Sequence, residues 1–290
     1  MTDALPVFLP MHACARFHGL KPGISYHPAS HISWLRGFSI GLCLVLAAMA
    51  QGQPSSAPMQ VFLLIGQSNM AGRAAIGPQD RVPDPHVYVL TKQLTWAPAV
   101  DPLHFDKPEI AGVGPGLSFG RALAAAEPQV VIGLVPAAFG GTSLDDWKPG
   151  GELYNAAVAR TRTALQHGRL AGILWHQGES DSSPELAATY AARFAALIAR
   201  LRADLSAPEV PVIVGETGRF RPDAGAINRV LSDLPQTVRA CAFVSAEGLT
   251  DKGDRLHFDT RSQHELGQRY ARAWLALAQA SGGGEANRPL

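Results

Sequence analysis

Met59-Gln60-Val61-Phe62-Leu63-Leu64-Ile65 runs directly into Gly66-Gln67-Ser68-Asn69-Met70-Ala71-Gly72. The first seven residues form a nearly unbroken apolar run of strand length. Such a strand, apolar on both faces, belongs inside a sheet. The glycines flanking the second seven permit a tight strand-to-helix turn, which exposes a serine hydroxyl where the next helix begins. Amides at that point face toward negative charge. The turn is not the G-x-S-x-G elbow, because Asn69 and Met70 separate Ser68 from Ala71. Taken alone, Ser68 reads equally well as a helix-capping serine.

Four more short apolar runs follow, at Val130–Val135, Gly172–Trp175, Val210–Val214 and Ala240–Ser245. Helical patterns lie between and after them, near 116–126, 153–167, 184–205, 224–234 and 262–280. In the last, Leu266, Tyr270, Trp274 and Leu277 recur at intervals of three and four, a face for packing on a sheet. Strands alternating with helices predict an α/β fold. The expected form is a three-layer αβα sandwich around a mostly parallel, five-stranded, doubly wound sheet of flavodoxin-like type. Segment 73–114, rich in proline, reads as a loop placed to cover the mouth of a site. Such sheets bind ligands beyond the carboxyl ends of their strands. The loops to read are therefore those after Ile65, Val135, Trp175, Val214 and Ser245.

The second of these loops is Phe139-Gly140-Gly141-Thr142-Ser143-Leu144-Asp145-Asp146-Trp147. Its paired glycines let the backbone approach a ligand and offer it N–H groups. It also reads as an ordinary turn of small residues, and Trp147 suits either a sugar face or the core. The third loop is Trp175-His176-Gln177-Gly178-Glu179-Ser180-Asp181, where Gln177 can donate an amide N–H and Glu179 and Asp181 are acids. His176, Glu179 and Asp181 are also metal-ligand types, but no other His/Asp cluster completes a set at a recognised spacing. No metal or cofactor is expected. Near the C-terminus, Asp254 precedes His257 by three residues in Asp254-Arg255-Leu256-His257-Phe258-Asp259. That spacing lets the carboxylate reach Nδ1–H and leaves Nε2 free to accept a serine proton. Each motif is common by itself; their coincidence on one rim is not.

Composition bounds the partner. The 290 residues are 47% apolar and 17% charged, with a net charge of +1. This is a globular balance with no electrostatic case for nucleic acid or an anionic membrane surface. A small or neutral molecule is the expected ligand.

The N-terminus stands apart. Residues 38–50, FSIGLCLVLAAMA, follow Arg36 and end in Ala48-Met49-Ala50. A cation, a short apolar run and small residues at −3 and −1 are the parts of a secretory signal. The run falls short of the ~20 residues needed to span a bilayer. A buried core helix or an uncleaved anchor is the other reading, and Cys43, preceded by Leu42 inside the run, does not suit a lipoprotein. Residues 1–33 make an unusually long lead-in, which raises a start codon further downstream. The expected organisation is an extension and signal over 1–50 and one domain over 51–290. Cleavage near Ala50 would give an exported protein, periplasmic or extracellular, with no stable membrane insertion. Of three cysteines, Cys14 and Cys43 fall in the leader, so no intrachain disulfide is expected, and Cys241 reads as a packed strand residue.

GQSNMAG, GGTSLDDW, WHQGESD and DRLHFD resemble, in order, blocks of the SGNH hydrolase superfamily. The likeness is to the branch of sialate O-acetylesterases and the acetylxylan esterases of carbohydrate esterase family 6. Gly112–Leu123 is similar to a further segment of it. The resemblance implies a carboxylic ester hydrolase that removes O-acetyl groups from carbohydrate, either acetylated polysaccharide or sialic acid. It implies Ser68 as nucleophile, His257 as base and Asp254 as orienting acid, with Glu179 a rival or auxiliary acid. The oxyanion would be held by the Ser68 amide, a glycine of the Gly140–Gly141 pair and the Gln177 side chain. Asn69 and Trp147 are candidate substrate contacts. Two rivals remain: an exported esterase or lipase for simple acyl esters, and a non-catalytic carbohydrate-binding domain.

Overall fold

A computed structural model describes residues 58–282. The extension and signal expected over 1–50, with Cys14, Cys43 and the cleavage point near Ala50, lie outside them.

All five expected strands are present. Met59–Gly66 (β1), Ile132–Pro136 (β4), Gly168–His176 (β5), Val212–Gly215 (β6) and Cys241–Val244 (β7) pair in parallel. The sheet is nevertheless seven-stranded, in the order β3-β2-β4-β1-β5-β6-β7. The two additional strands, Val87–Leu90 (β2) and Trp96–Pro98 (β3), come from the segment that reads as loop. β2 joins β4 in parallel, and β3 returns antiparallel to it as the sheet edge. Pro98 is tolerated there because an edge strand has no neighbour waiting for its missing N–H.

Side-chain alternation along β1 divides the core. Val61, Leu63 and Ile65 pack under Glu152–Ala164 (α3), Pro184–Asp204 (α4) and Ala224–Thr237 (α5). Phe62 and Leu64 pack under Pro115–Ala126 (α2) and Thr260–Gly282 (α6). Burying a large apolar side chain contributes ~1.5–3 kcal/mol, so both layers are held firmly. α4 starts where its residues say it should: Ser183 caps it by accepting the Leu186 amide, and Pro184 occupies the first turn. Leu266, Tyr270 and Trp274 are all buried and seat α6 on the sheet. A bulge in β5 leaves Ala171 out of register with β1, and its carbonyl accepts the Trp274 indole N–H at 2.8 Å. Cys241 is a buried, unpaired thiol in β7. Burial pushes it up to about 12, which makes it inert.

Beyond β1 the chain turns at Gly66 into a single helical turn, Ser68–Ala71 (α1). A Cβ on Gly66 would stand 2.2 Å from the His176 carbonyl oxygen, and its φ is +129°. Only glycine lets the chain leave the sheet there.

Candidate active site

The hydroxyl at the start of α1 meets the imidazole of the turn before α6. Ser68 Oγ lies 3.0 Å from His257 Nε2, and His257 Nδ1 lies 2.7 Å from Asp254 Oδ2. A carboxylate at Nδ1 requires the proton there, so Nε2 presents its lone pair to the serine. The Asp254 turn is self-capped: Oδ1 accepts the amides of Leu256 and His257 at 2.9 and 2.8 Å. Partial burial raises the Asp254 carboxyl, but the bonds from the His257 amide and ring and the Leu256 amide outweigh it. The carboxyl is held at about 2.

Ser68 and His257 open on a cavity of about 430 Å³, also lined by Arg73, Lys107, Gly140, Gly141, Glu179 and Arg221. A Cβ on Gly140 would lie 2.5 Å from Arg73 Nη2 and 3.4 Å from Ser68 Cβ, so glycine is needed for the backbone to come this close. The Gly140 amide donates to Asp106 Oδ2 at 2.8 Å, and the same oxygen receives the Arg73 guanidinium. Burial raises the Asp106 carboxyl, but these two donors outweigh it and hold it low. Among the described residues, neither the Ser68 nor the Gly141 amide has a hydrogen-bond partner. Both remain available to an oxyanion.

Gln177 requires correction. Its side chain is fully buried, with Nε2 donating to Asp181 Oδ2 at 2.7 Å and to the Thr142 carbonyl at 3.2 Å. Its Oε1 accepts the Tyr190 hydroxyl at 2.8 Å. The side chain braces the turn from below rather than donating into the cavity. Trp147 is likewise fully buried, its indole N–H on Thr142 Oγ1 and its ring edge-on to Trp175; it serves the core, not a sugar face. Asn69, a candidate substrate contact, has no exposed surface and bonds to Glu179, Leu256 and Phe258. Glu179 lines the cavity but points at Asn69 Nδ2, 2.6 Å away, and not at His257. His176, Glu179 and Asp181 do not converge: His176 Nε2 is 3.9 Å from Glu179, while Asp181 is bonded to Gln177, the Leu144 amide and Arg193. Arg73, Asp106 and Lys107 had no sequence signal, because no recognisable motif marks segment 73–111.

A doubly wound sheet that brings a serine, a histidine and an aspartate into contact at its carboxyl rim has the parts an ester hydrolase needs. The chain belongs to the family described as carbohydrate esterase, sialic acid-specific acetylesterase, whose model matches residues 58–276. It is a carboxylic ester hydrolase of the carbohydrate O-acetylesterase kind. The chain is 35% identical over 240 residues to the probable carbohydrate esterase At4g34215 of Arabidopsis thaliana, covering 76% of this chain and 91% of that one. The crystal structure of the Arabidopsis protein matches with a TM-score of 0.71 at 34% identity, over 76% of this chain and 98% of that chain. The structure of NanS shares the fold, with a TM-score of 0.65 at 18% identity, over 77% and 99% of the two chains.

Proposed function

We propose that this protein is an exported serine esterase that removes O-acetyl groups from carbohydrate through an acetyl-Ser68 intermediate. The observation that carries the reading is the unbroken contact from Ser68 Oγ through the His257 ring to Asp254. His257 takes the serine proton as Oγ attacks the acetyl carbonyl. The amides of Ser68 and Gly141 receive the oxyanion, and Asp254 balances the charge that forms on the imidazole. His257 returns the proton to the departing sugar oxygen, and water repeats the sequence on the acetyl-enzyme. Supporting the sugar ester as substrate are the family and the Arg73, Lys107 and Arg221 side chains along the cavity wall. Export is supported by Arg36, the apolar run 38–50 and Ala48-Met49-Ala50.

The test is Ser68→Ala on an aryl acetate, with fluorophosphonate labelling of the unaltered enzyme. Wild-type turnover in the variant, or no label on Ser68, would remove the serine mechanism. Initial rates on acetylated xylan, O-acetyl sialic acid and medium-chain aryl esters then rank the substrates. Highest efficiency on the aryl esters would favour a simple acyl esterase. N-terminal sequencing of the native protein tests cleavage after Ala50.

A further inference from the structure

We infer that Asn69 is a positioning residue that sets the contact between Ser68 and His257, and that Glu179 acts by orienting the Asn69 amide. The inference rests on the serine mechanism proposed above. Its side-chain oxygen accepts the Phe258 amide at 3.1 Å, and its Nδ2 donates to the Leu256 carbonyl at 3.0 Å. Asn69 therefore holds the backbone on both sides of His257, from a position next to the nucleophile.

The Asp254 bonds cannot do this. They lie within the turn and travel with it, so they orient the ring without fixing its distance from β1. Lys252 on the Arg73 carbonyl and Thr260 on the Ala75 carbonyl tie only the margins of the turn. The Asn69 side chain grips its centre.

Glu179 reinforces the way that amide faces. The second Nδ2 hydrogen donates to Glu179 Oε1 at 2.6 Å. With the amide reversed, its oxygen would face both that carboxylate and the Leu256 carbonyl, while its NH₂ would face the Phe258 N–H. Every contact would then be repulsive. A buried acid beside the nucleophile, out of contact with the base, thus gains a role through the asparagine.

The experiment measures kcat and KM on an aryl acetate for Asn69→Asp, Glu179→Ala and the double variant Asn69→Asp with Glu179→Gln. Thermal melting and a parallel Ser68→Ala control accompany them. In Asn69→Asp the new carboxylate still accepts from Phe258 but faces Glu179 and the Leu256 carbonyl without a hydrogen. A displacement of the order of 1 Å costs about 10²-fold, so kcat should fall by about that factor with KM unchanged. Adding Glu179→Gln lets the new glutamine amide donate to the new aspartate, and should restore about tenfold. Full turnover in Asn69→Asp, or no rescue in the double variant, overturns the inference. If Asn69→Asp melts below the assay temperature, Glu179→Ala decides: a fall in kcat at constant KM supports positioning, and a rise in KM with kcat retained makes Glu179 a substrate contact. Activity in Ser68→Ala would sink the serine mechanism itself. An inactive Ser68→Ala beside unimpaired Asn69 variants sinks only this inference.

Discussion

The Asp106 carboxylate accepts the Gly140 amide at 2.8 Å, on the very turn that approaches the nucleophile. Asp106 reaches it from a long excursion of the chain and brings the Arg73 guanidinium along as counter-ion. The turn is thus pinned by a charged pair at the cavity wall. We expect Asp106→Ala to release the Gly140–Gly141 turn and leave Arg73 buried without its partner. Turnover should drop by about tenfold or more, with the melting temperature also lowered. Asp106→Asn, which keeps an acceptor for the Gly140 amide, should be milder in both. Equal effects of the two would show that the acceptor is immaterial.

Asp254→Asn should be far more damaging than Glu179→Gln. The amide can present an N–H to Nδ1 and so favour the wrong tautomer, a change that costs up to ~10⁴ in turnover. Glu179→Gln retains an oxygen for the Asn69 amide and should cost little. The reverse order in kcat would make Glu179 the orienting acid.

The same aspartate gives a stability signature. Its folded pKa of about 2 lies below the ordinary carboxylate value, so the native state binds the proton less readily than the unfolded chain. Its contribution is present at neutral pH and lost as pH falls from about 4 toward 2. Urea midpoints of wild type and Asp254→Asn should converge over that interval, and a constant difference would contradict the assignment.

Asp101 runs the opposite way. It is buried beside Asp80, which already bonds His264 and the Gly77 amide. Burial first, and the Asp80 charge second, push its carboxyl well above the ordinary value. The native state then keeps a proton that the unfolded chain releases, so stability declines as pH rises above about 4. Asp101→Asn should melt higher than wild type at pH 8, with the advantage vanishing near pH 4. A variant less stable at both values would refute this.

Gln177→Ala should act on the fold as well as on the rate. It strips the Thr142 carbonyl of its donor and removes one of several partners from Asp181 and from Tyr190, and a buried polar group left unpaired costs about 1–3 kcal/mol. Denaturant unfolding would show it. A variant of unchanged stability that loses only kcat would return Gln177 to the oxyanion site.

What could be read in advance divides by range. The five parallel strands β1, β4, β5, β6 and β7 announced themselves by their apolar runs, continuous where both faces are buried, as in β1, β4 and β6. Val87–Leu90 and Trp96–Pro98 did not, lying in a proline-rich stretch and held by pairing with β4 and with each other. The Asp254–His257 contact was legible because three residues of one turn create it. The fate of Gln177 was not, since Tyr190, thirteen positions on, and the Thr142 carbonyl claim its amide from other elements. Trp147 admitted two readings until the facing Trp175 ring settled its place in the core. Arg73 and Asp106 act as a pair 33 positions apart, with no motif between them.

Ser68 and His257 are 189 positions apart, one at the exit of the first strand and the other at the entry to the final helix. A ribosome must therefore finish nearly the whole domain before any hydrolytic power exists. A fragment that stops before Asp254 lacks both the base and its orienting acid, and nothing in it takes the serine proton. Recovery of turnover during renaturation should accordingly clock the docking of that last helix, whatever order the earlier strands assemble in.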